Sequence, residues 1–402
     1  MSAPKLVVTG YDAICSQAHS AAELGKKLGS APHVGRRKVF GMHECAAEMP
    51  AYLVEGLEPV EILGRKGLRT KDWATKMLLC CLRRGFSEAL EHSDASSRPG
   101  LCLGTAFGSV ASIGDFLSDS IENGVNSVNP QAFANTVINA PISNGNIRFG
   151  VKSLSATVST GFNASLDAVV YMADFLRCGH ASRAVVGGMD EVSYYELIGL
   201  QRTGLLSATP AARPFAVDAD GVVPGEGCGL ILLETADAAR EAGRKPVAEI
   251  AAWCTAFDPG LAAGERDAGT EVMAYVMSTA CREAGLSPAS LDLVAASAGG
   301  HPLLDRLEAE AIEEVVGTSV PVTAYKAKLG ECFGASSALS TVCALIDLGE
   351  RRITGVGRDY QSRGTIDLVT EDRVGVDGEH VMINAFSCDG NCGSIILSLS
   401  NN

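Results

Sequence analysis

Apolar residues along this chain fall into two kinds of run. Short runs rich in β-branched residues, bounded by glycine or polar residues, occupy 5–9, 100–105, 155–160, 183–188 and 229–234. A second series follows at 247–257, 292–297, 320–325, 380–386 and 393–400. Such runs with flanking turn residues predict strands. Between them, apolar positions recur at helical spacing. Met77, Leu78, Cys81, Leu82 and Phe86 share one face of a predicted helix over 72–91. Further helices are predicted over 270–284, closed by Gly285, and over 334–349. Ser287 and Pro288 read as the N-cap and first position of one more short turn. The repeated alternation predicts an α/β protein with buried, parallel or mixed sheets. The two series look like an internal duplication, with 1–245 and 246–402 as halves of one compact unit. No Gly/Ser-rich or Pro-rich linker separates them.

Composition narrows the classes. Among 402 residues, 47% are hydrophobic and 20% charged, which excludes a disordered chain. The 33 Lys and Arg against 47 Asp and Glu give a net charge of −14. A nucleic-acid binder would need a basic face. No apolar run reaches the roughly 18 residues of a membrane span. Residues 1–10 lead straight into a strand-like run, without the regions of a signal peptide. The expectation is a soluble, cytoplasmic protein with no membrane or nucleic-acid partner. The 13 cysteines are scattered, odd in number and without a CxxC pair. They suggest neither a disulfide framework nor a zinc site, and are expected as small buried apolar groups. No metal or other cofactor is expected.

Candidate chemistry centres on 155–165, SATVSTGFNAS. A strand ends at Gly161, and a helix then runs through Leu166, Val169, Val170, Ala173 and Leu176 to Gly179. The turn sits on a helix N-terminus, where unpaired N–H groups and the macrodipole stabilise an anion by roughly 0.3–1 kcal/mol. A fold would place an activated thiolate there. The residue is Phe162, whose ring can neither attack nor carry a proton.

Ordered motifs run through the whole chain. The first half has VVTG at 7–10, GT at 104–105, FANTVINAP at 133–141 and RFGVKS at 148–153. TVSTGFNAS, VVGG at 185–188 and PFAVDADGVVPGEGCGLILLE at 214–234 follow. The second half has Asp305, Glu308 and Ala311 in D-x-x-E-x-x-A, YKAKLGECFGASSA at 325–338 and NAF at 384–386. With these motifs the chain resembles the β-ketoacyl synthases. The resemblance implies a thiolase-like fold, with duplicated α/β halves forming a layered α-β-α-β-α core. Active members carry a cysteine at the position of Phe162 and histidines at those of Ser297 and Glu331. All three catalytic positions have therefore changed. His301 lies four residues from the first histidine position, and the Gly-rich turn near the C-terminus has become SCDG at 387–390. Condensation needs a nucleophile and oxyanion donors. Phe162 supplies neither, Ser297 is a weak donor, and an ionised Glu331 would repel a malonyl carboxylate. Asp305, Glu308, Lys326 and Phe386 match retained family positions, for which the expectation is a structural ion-pair role. Gly225 and Gly227 are expected to serve a tight backbone turn.

One branch of the family shares this loss, the chain-length factors of type II polyketide synthases. WCTAFDPG at 253–260, SAGGHPLLDRLEAEA at 297–311 and TIDLV at 365–369 resemble that branch. The resemblance implies a non-catalytic subunit paired with an active ketosynthase, as a heterodimer or a dimer of heterodimers, whose tunnel it closes. Phe107, Ala111, Phe116 and Phe133 are then the expected tunnel or gate residues. Aromatic-type members carry Gln where Phe162 stands, so a reducing, polyene-type pathway fits. The acidic charge suggests that the acyl carrier protein, itself acidic, docks on the partner. The alternative is a stand-alone synthase-like acyltransferase with a non-standard nucleophile, Cys332 or Cys388. Cys332 has no evident cationic partner, and Cys388 no identifiable base.

Overall fold

In the computed structural model, which describes residues 4–39, 47–91, 99–265, 267–357 and 360–400, all ten predicted strand runs join one eleven-stranded sheet. They are β1 (Leu6–Cys15), β2 (Gly100–Gly104), β3 (Ser155–Val158), β4 (Arg183–Asp190), β5 (Gly227–Thr235), β6 (Ala248–Phe257), β7 (Leu293–Ala295), β8 (Pro321–Thr323), β9 (His380–Phe386) and β10 (Asn391–Leu399). The eleventh strand, Asp367–Leu368, adds to the β8 edge. From the centre outward the order is β1-β5-β4-β2-β3 on one side and β6-β10-β9-β7-β8 on the other. The pairings match in sense as well. The two inner pairs are antiparallel and the two outer pairs parallel in each half. The halves meet where Val7 and Val8 of β1 pair with Glu249 and Ala248 of β6.

The helices are α1 (Trp73–Glu91), α2 (Val110–Asn123), α3 (Ala140–Phe149), α4 (Ala164–Arg177), α5 (Thr270–Ala284), α6 (Pro302–Val316) and α7 (Ser336–Gly349). Helices α4 and α7 are sandwiched between the half-sheets. Leu166, Met172, Leu339 and Val342 pack with Val186 and Ile231 of the first half and Ile250 and Ile383 of the second. The outer face of the first half-sheet is covered by α1, through Met77, Leu78 and Phe86, and by α3. Met273 and Met277 of α5 and Ile312 of α6 cover the second. The result is five layers around three apolar interiors. Glycines in the strands allow the close helix approach. A Cβ on Gly104 would stand 2.2 Å from the Ala164 carbonyl carbon.

Two surfaces are left unsatisfied. The outer edge of β3 pairs with no other strand among the described residues. Helix α2 buries none of its residues, although Ile113, Leu117 and Ile121 form an i, i+4, i+8 stripe. Leu117 is 53% and Ile121 77% exposed.

Candidate active site

Segments following β3, β7, β8 and β9 converge on one cavity of about 20 Å³, room for one or two waters. It is lined by Phe162, Ser297 and Glu331 and by the retained Asp305, Glu308, Lys326 and Phe386. Among them, Phe162, Ser297 and Glu331 are the positions that the resemblance matches to catalytic residues of active members.

Phe162 stands in the turn Gly161–Asn163, which leads into α4. Gly161 adopts φ +73°, a left-handed conformation suited to glycine. The Phe162 ring meets Phe333 edge-on at 5.2 Å between centroids, and Phe107 at 6.3 Å. Phe107 and Phe333 meet at 4.9 Å. Edge-to-face pairs contribute about 0.5–1.5 kcal/mol each beyond area burial. The three rings pack against one another beside the turn that bears Phe162.

Glu331 does not stand as an uncompensated charge, which corrects the expected repulsion. Its Oε2 lies 2.6 Å from Lys326 Nζ, and both side chains are buried. Its Oε1 accepts the Phe333 N–H at 2.9 Å and the Ser336 O–H at 2.6 Å. Lys326 is thus ion-paired within the cavity wall. Ser297 is likewise occupied. Its Oγ accepts the Phe386 N–H at 2.9 Å and donates to the Phe386 carbonyl at 3.2 Å.

The two retained acids brace loops rather than pair with a cation. Asp305 accepts N–H groups from Phe215 (2.7 Å), Gly299 (3.2 Å) and Gly300 (2.9 Å). Glu308 Oε1 accepts the Ser297 N–H at 2.8 Å and the Asn384 side-chain amide at 3.1 Å. Burial pushes Asp305 up to about 6 and Glu308 up to about 7, against these hydrogen bonds. An acid raised in the native state binds more protons folded than unfolded, so its contribution to stability is lost as pH rises through its native pKa. For Glu308 the window runs from 4.5 to about 7. Thermal unfolding measured across this window should show stability falling with pH in the wild type. Glu308→Gln keeps an Oε1 acceptor and should flatten that slope; an unchanged slope would assign the effect elsewhere.

Neither alternative nucleophile is activated. Cys332 is fully buried, and burial holds its thiol well above its usual range despite the opposing Lys326 charge. Cys388 lines the cavity, but burial, with Asp389 and Glu331 adding, raises its thiol too. No group of three or more metal-ligating side chains occurs among the described residues.

Two groups in the site escaped the sequence reading. Phe333 is a fully buried non-glycine residue at φ +51°. Asp190 closes β4, and its carboxylate accepts the Thr105 O–H (2.5 Å) and the N–H groups of Ala106 (2.8 Å), Phe107 (3.3 Å) and Gly334 (2.8 Å). It ties the segment bearing Phe107 to that bearing Phe333. A carboxylate ending a buried strand, two residues after VVGG, was the available signal. His301, set aside on spacing, lies in the cavity wall. Its Nδ1 accepts the Leu304 N–H at 3.2 Å, capping α6, and burial lowers its pKa.

Phe107 belongs to the ring cluster. Ala111 and Phe116 of α2 line a separate open groove of about 810 Å³. Phe116 meets Phe133 at 5.8 Å, and Phe133 is 61% exposed.

A duplicated five-layer sheet architecture, with a helix-capped turn aimed into a loop-lined cavity, defines the thiolase-like class. Residues 63–239 match the family described as Beta-ketoacyl synthase, N-terminal domain, and 247–356 match Beta-ketoacyl synthase, C-terminal domain. The chain belongs to the β-ketoacyl synthase family. It is 36% identical over 233 residues to the tetracenomycin polyketide synthase ketoacyl synthase beta subunit of Streptomyces glaucescens, a match covering 56% of each chain. It is 25% identical over 363 residues to 3-oxoacyl-[acyl-carrier-protein] synthase 2 of Vibrio cholerae, covering 86% of this chain and 87% of that one. Its fold is that of the ishigamide ketosynthase/chain length factor, with TM-score 0.89, 23% identity and full coverage of both chains. It is similar also to a ketosynthase in complex with its chain length factor from Xenorhabdus doucetiae, with TM-score 0.81, 19% identity, and coverage of 99% of this chain and 98% of that one. Among the described residues, no helix is long and apolar enough to cross a membrane.

Proposed function

We propose that this chain is a chain-length factor of type II polyketide biosynthesis, a cytoplasmic subunit that performs no condensation itself. The observation that carries this reading is the filled site. Phe162 stands in place of a nucleophile, Glu331 is committed to Lys326, Ser297 is committed to Phe386, and little space remains among them. The naming of the Streptomyces glaucescens relative as a beta subunit supports it.

Its partner is an active ketosynthase, in a heterodimer or a dimer of heterodimers, and the acyl carrier protein is engaged through that partner. The bare apolar stripe on α2 and the unpaired β3 edge support docking of a second chain, since a 14-residue helix gains most of its stability from burying its apolar face. Phe107, Ala111, Phe116 and Phe133 are proposed to line or close the partner's acyl tunnel.

The test is turnover. The purified chain, given malonyl-loaded carrier protein and an acyl donor, should form no condensation product. Phe162→Cys should form none either, because the Lys326–Glu331 pair and the Ser297–Phe386 bonds would persist. Condensation by the isolated wild-type chain would overturn this function.

A further inference from the structure

The short turn Lys326–Leu329 sends its two lysines to different places. Lys326 faces the cavity described above. Lys328 lines an open pocket of about 700 Å³ that shares no lining residue with that cavity. Lys328 is only 7% exposed, and its Nζ makes no hydrogen bond or ion pair among the described residues. Burial lowers its pKa, with the Asp372 charge opposing. A buried ammonium without a contacting counter-charge is costly, and such groups are ordinarily paired.

Other idle donors border the same pocket. The Tyr360 hydroxyl and Arg213 Nε are buried and have no hydrogen-bond partner among the described residues. Tyr52 Oη accepts the Ala212 N–H at 3.1 Å, while its own O–H finds no acceptor among the described residues. The two carboxylates in the lining make no ion pair with Lys328. Glu371 and Asp372 are exposed, and Asp372 Oδ1 already takes the Gly355 N–H at 2.9 Å. Arg213 is also held by Asp218, at 3.0 Å.

We propose that this pocket binds a small oxyanion, a phosphate monoester or a carboxylate, with Lys328 as its charge partner and the two tyrosine hydroxyls as donors. An acceptor-rich anion supplies what the wall lacks: one counter-charge and acceptors for the idle O–H groups. The site stands whether or not the first cavity is catalytic.

The experiment is a calorimetric titration of the purified full-length chain, with inorganic phosphate in one arm and malonate in the other. Saturable 1:1 binding is expected, and the anion with the lower dissociation constant identifies the source. Lys328→Met, which removes a buried unpaired charge, should weaken binding at least tenfold, and Tyr360→Phe several-fold. A second readout uses the wild type alone: acetylation of Lys328 by acetic anhydride, followed by mass spectrometry, should be suppressed by the bound anion. This keeps the test decisive should a variant misfold. Absence of saturable binding in both arms, binding unaltered by Lys328→Met, or labelling of Lys328 indifferent to the anion would overturn the proposal.

Discussion

Glu331→Ala is expected to destabilise the protein by about 3–5 kcal/mol, the range for removing one partner of a buried ion pair. The Lys326 ammonium would remain in an interior position with its near carboxylate gone. The Phe333 N–H and Ser336 O–H would lose their acceptor in the same step. Phe333 is held in a left-handed backbone conformation that costs a non-glycine residue of order 1–3 kcal/mol and persists only where its surroundings enforce it. Loss of the Glu331 anchor therefore reaches the Phe107–Phe162–Phe333 cluster. The double variant Glu331→Ala, Lys326→Met should recover much of the loss, because it removes the stranded charge. Denaturant unfolding of the three proteins checks this. A single-variant loss below about 1 kcal/mol would mean that the pair is solvated and that the cavity is looser than its geometry states.

Phe116→Ala is expected to lengthen the polyketide made by the complex by one extension unit or more, and Phe107→Ala to act in the same direction. A packed wall tolerates little overlap, so a phenyl ring at the end of a tunnel acts as a stop. Neither ring is among the fully buried side chains, so truncation should cost less than the 3–5 kcal/mol of a core Phe→Ala change. The fold should survive, and product length can be read without confusion from unfolding. The two positions differ in what they touch. Phe107 leans on Phe333 and Phe162, so its loss opens space toward the filled site. Phe116 leans on the exposed Phe133 and borders the groove beside α2, so its loss opens space toward the surface that a partner would cover. If Phe116 is the stop, its truncation should have the larger effect.

The strand runs were legible because β-branched residues between turn formers leave few other choices. Their lengths were not. β1 continues six residues past the apolar run to Cys15, although Tyr11 and Asp12 break the pattern, because β5 pairs along it and the Asp12 carboxylate takes the Ala21 N–H at 2.6 Å. β7 is shorter than its apolar run. The Asp292 carboxylate binds the N–H groups of Glu379 and His380, and Ser297 turns to bind Phe386. The resemblance grouped Phe162, Ser297 and Glu331, by matching each to a motif position of active members. Spacing carries no information on partners. The pairing of Glu331 with Lys326 crosses Gly330, whose φ of +75° turns the chain back on itself, and only coordinates show that turn. Asp190 and Phe333 were hidden for the same reason. Their importance lies in contacts with segments more than 80 residues away.

The central claim is that this chain performs no chemistry yet limits product length. The most direct measurement reconstitutes it with an active ketosynthase and loaded carrier protein, then compares by mass spectrometry the products of wild type, Phe107→Ala and Phe116→Ala in complexes of equal yield. The expected result is condensation only when the ketosynthase is present, with a product distribution shifted to longer chains by one or both variants. An unchanged distribution from intact complexes would contradict it.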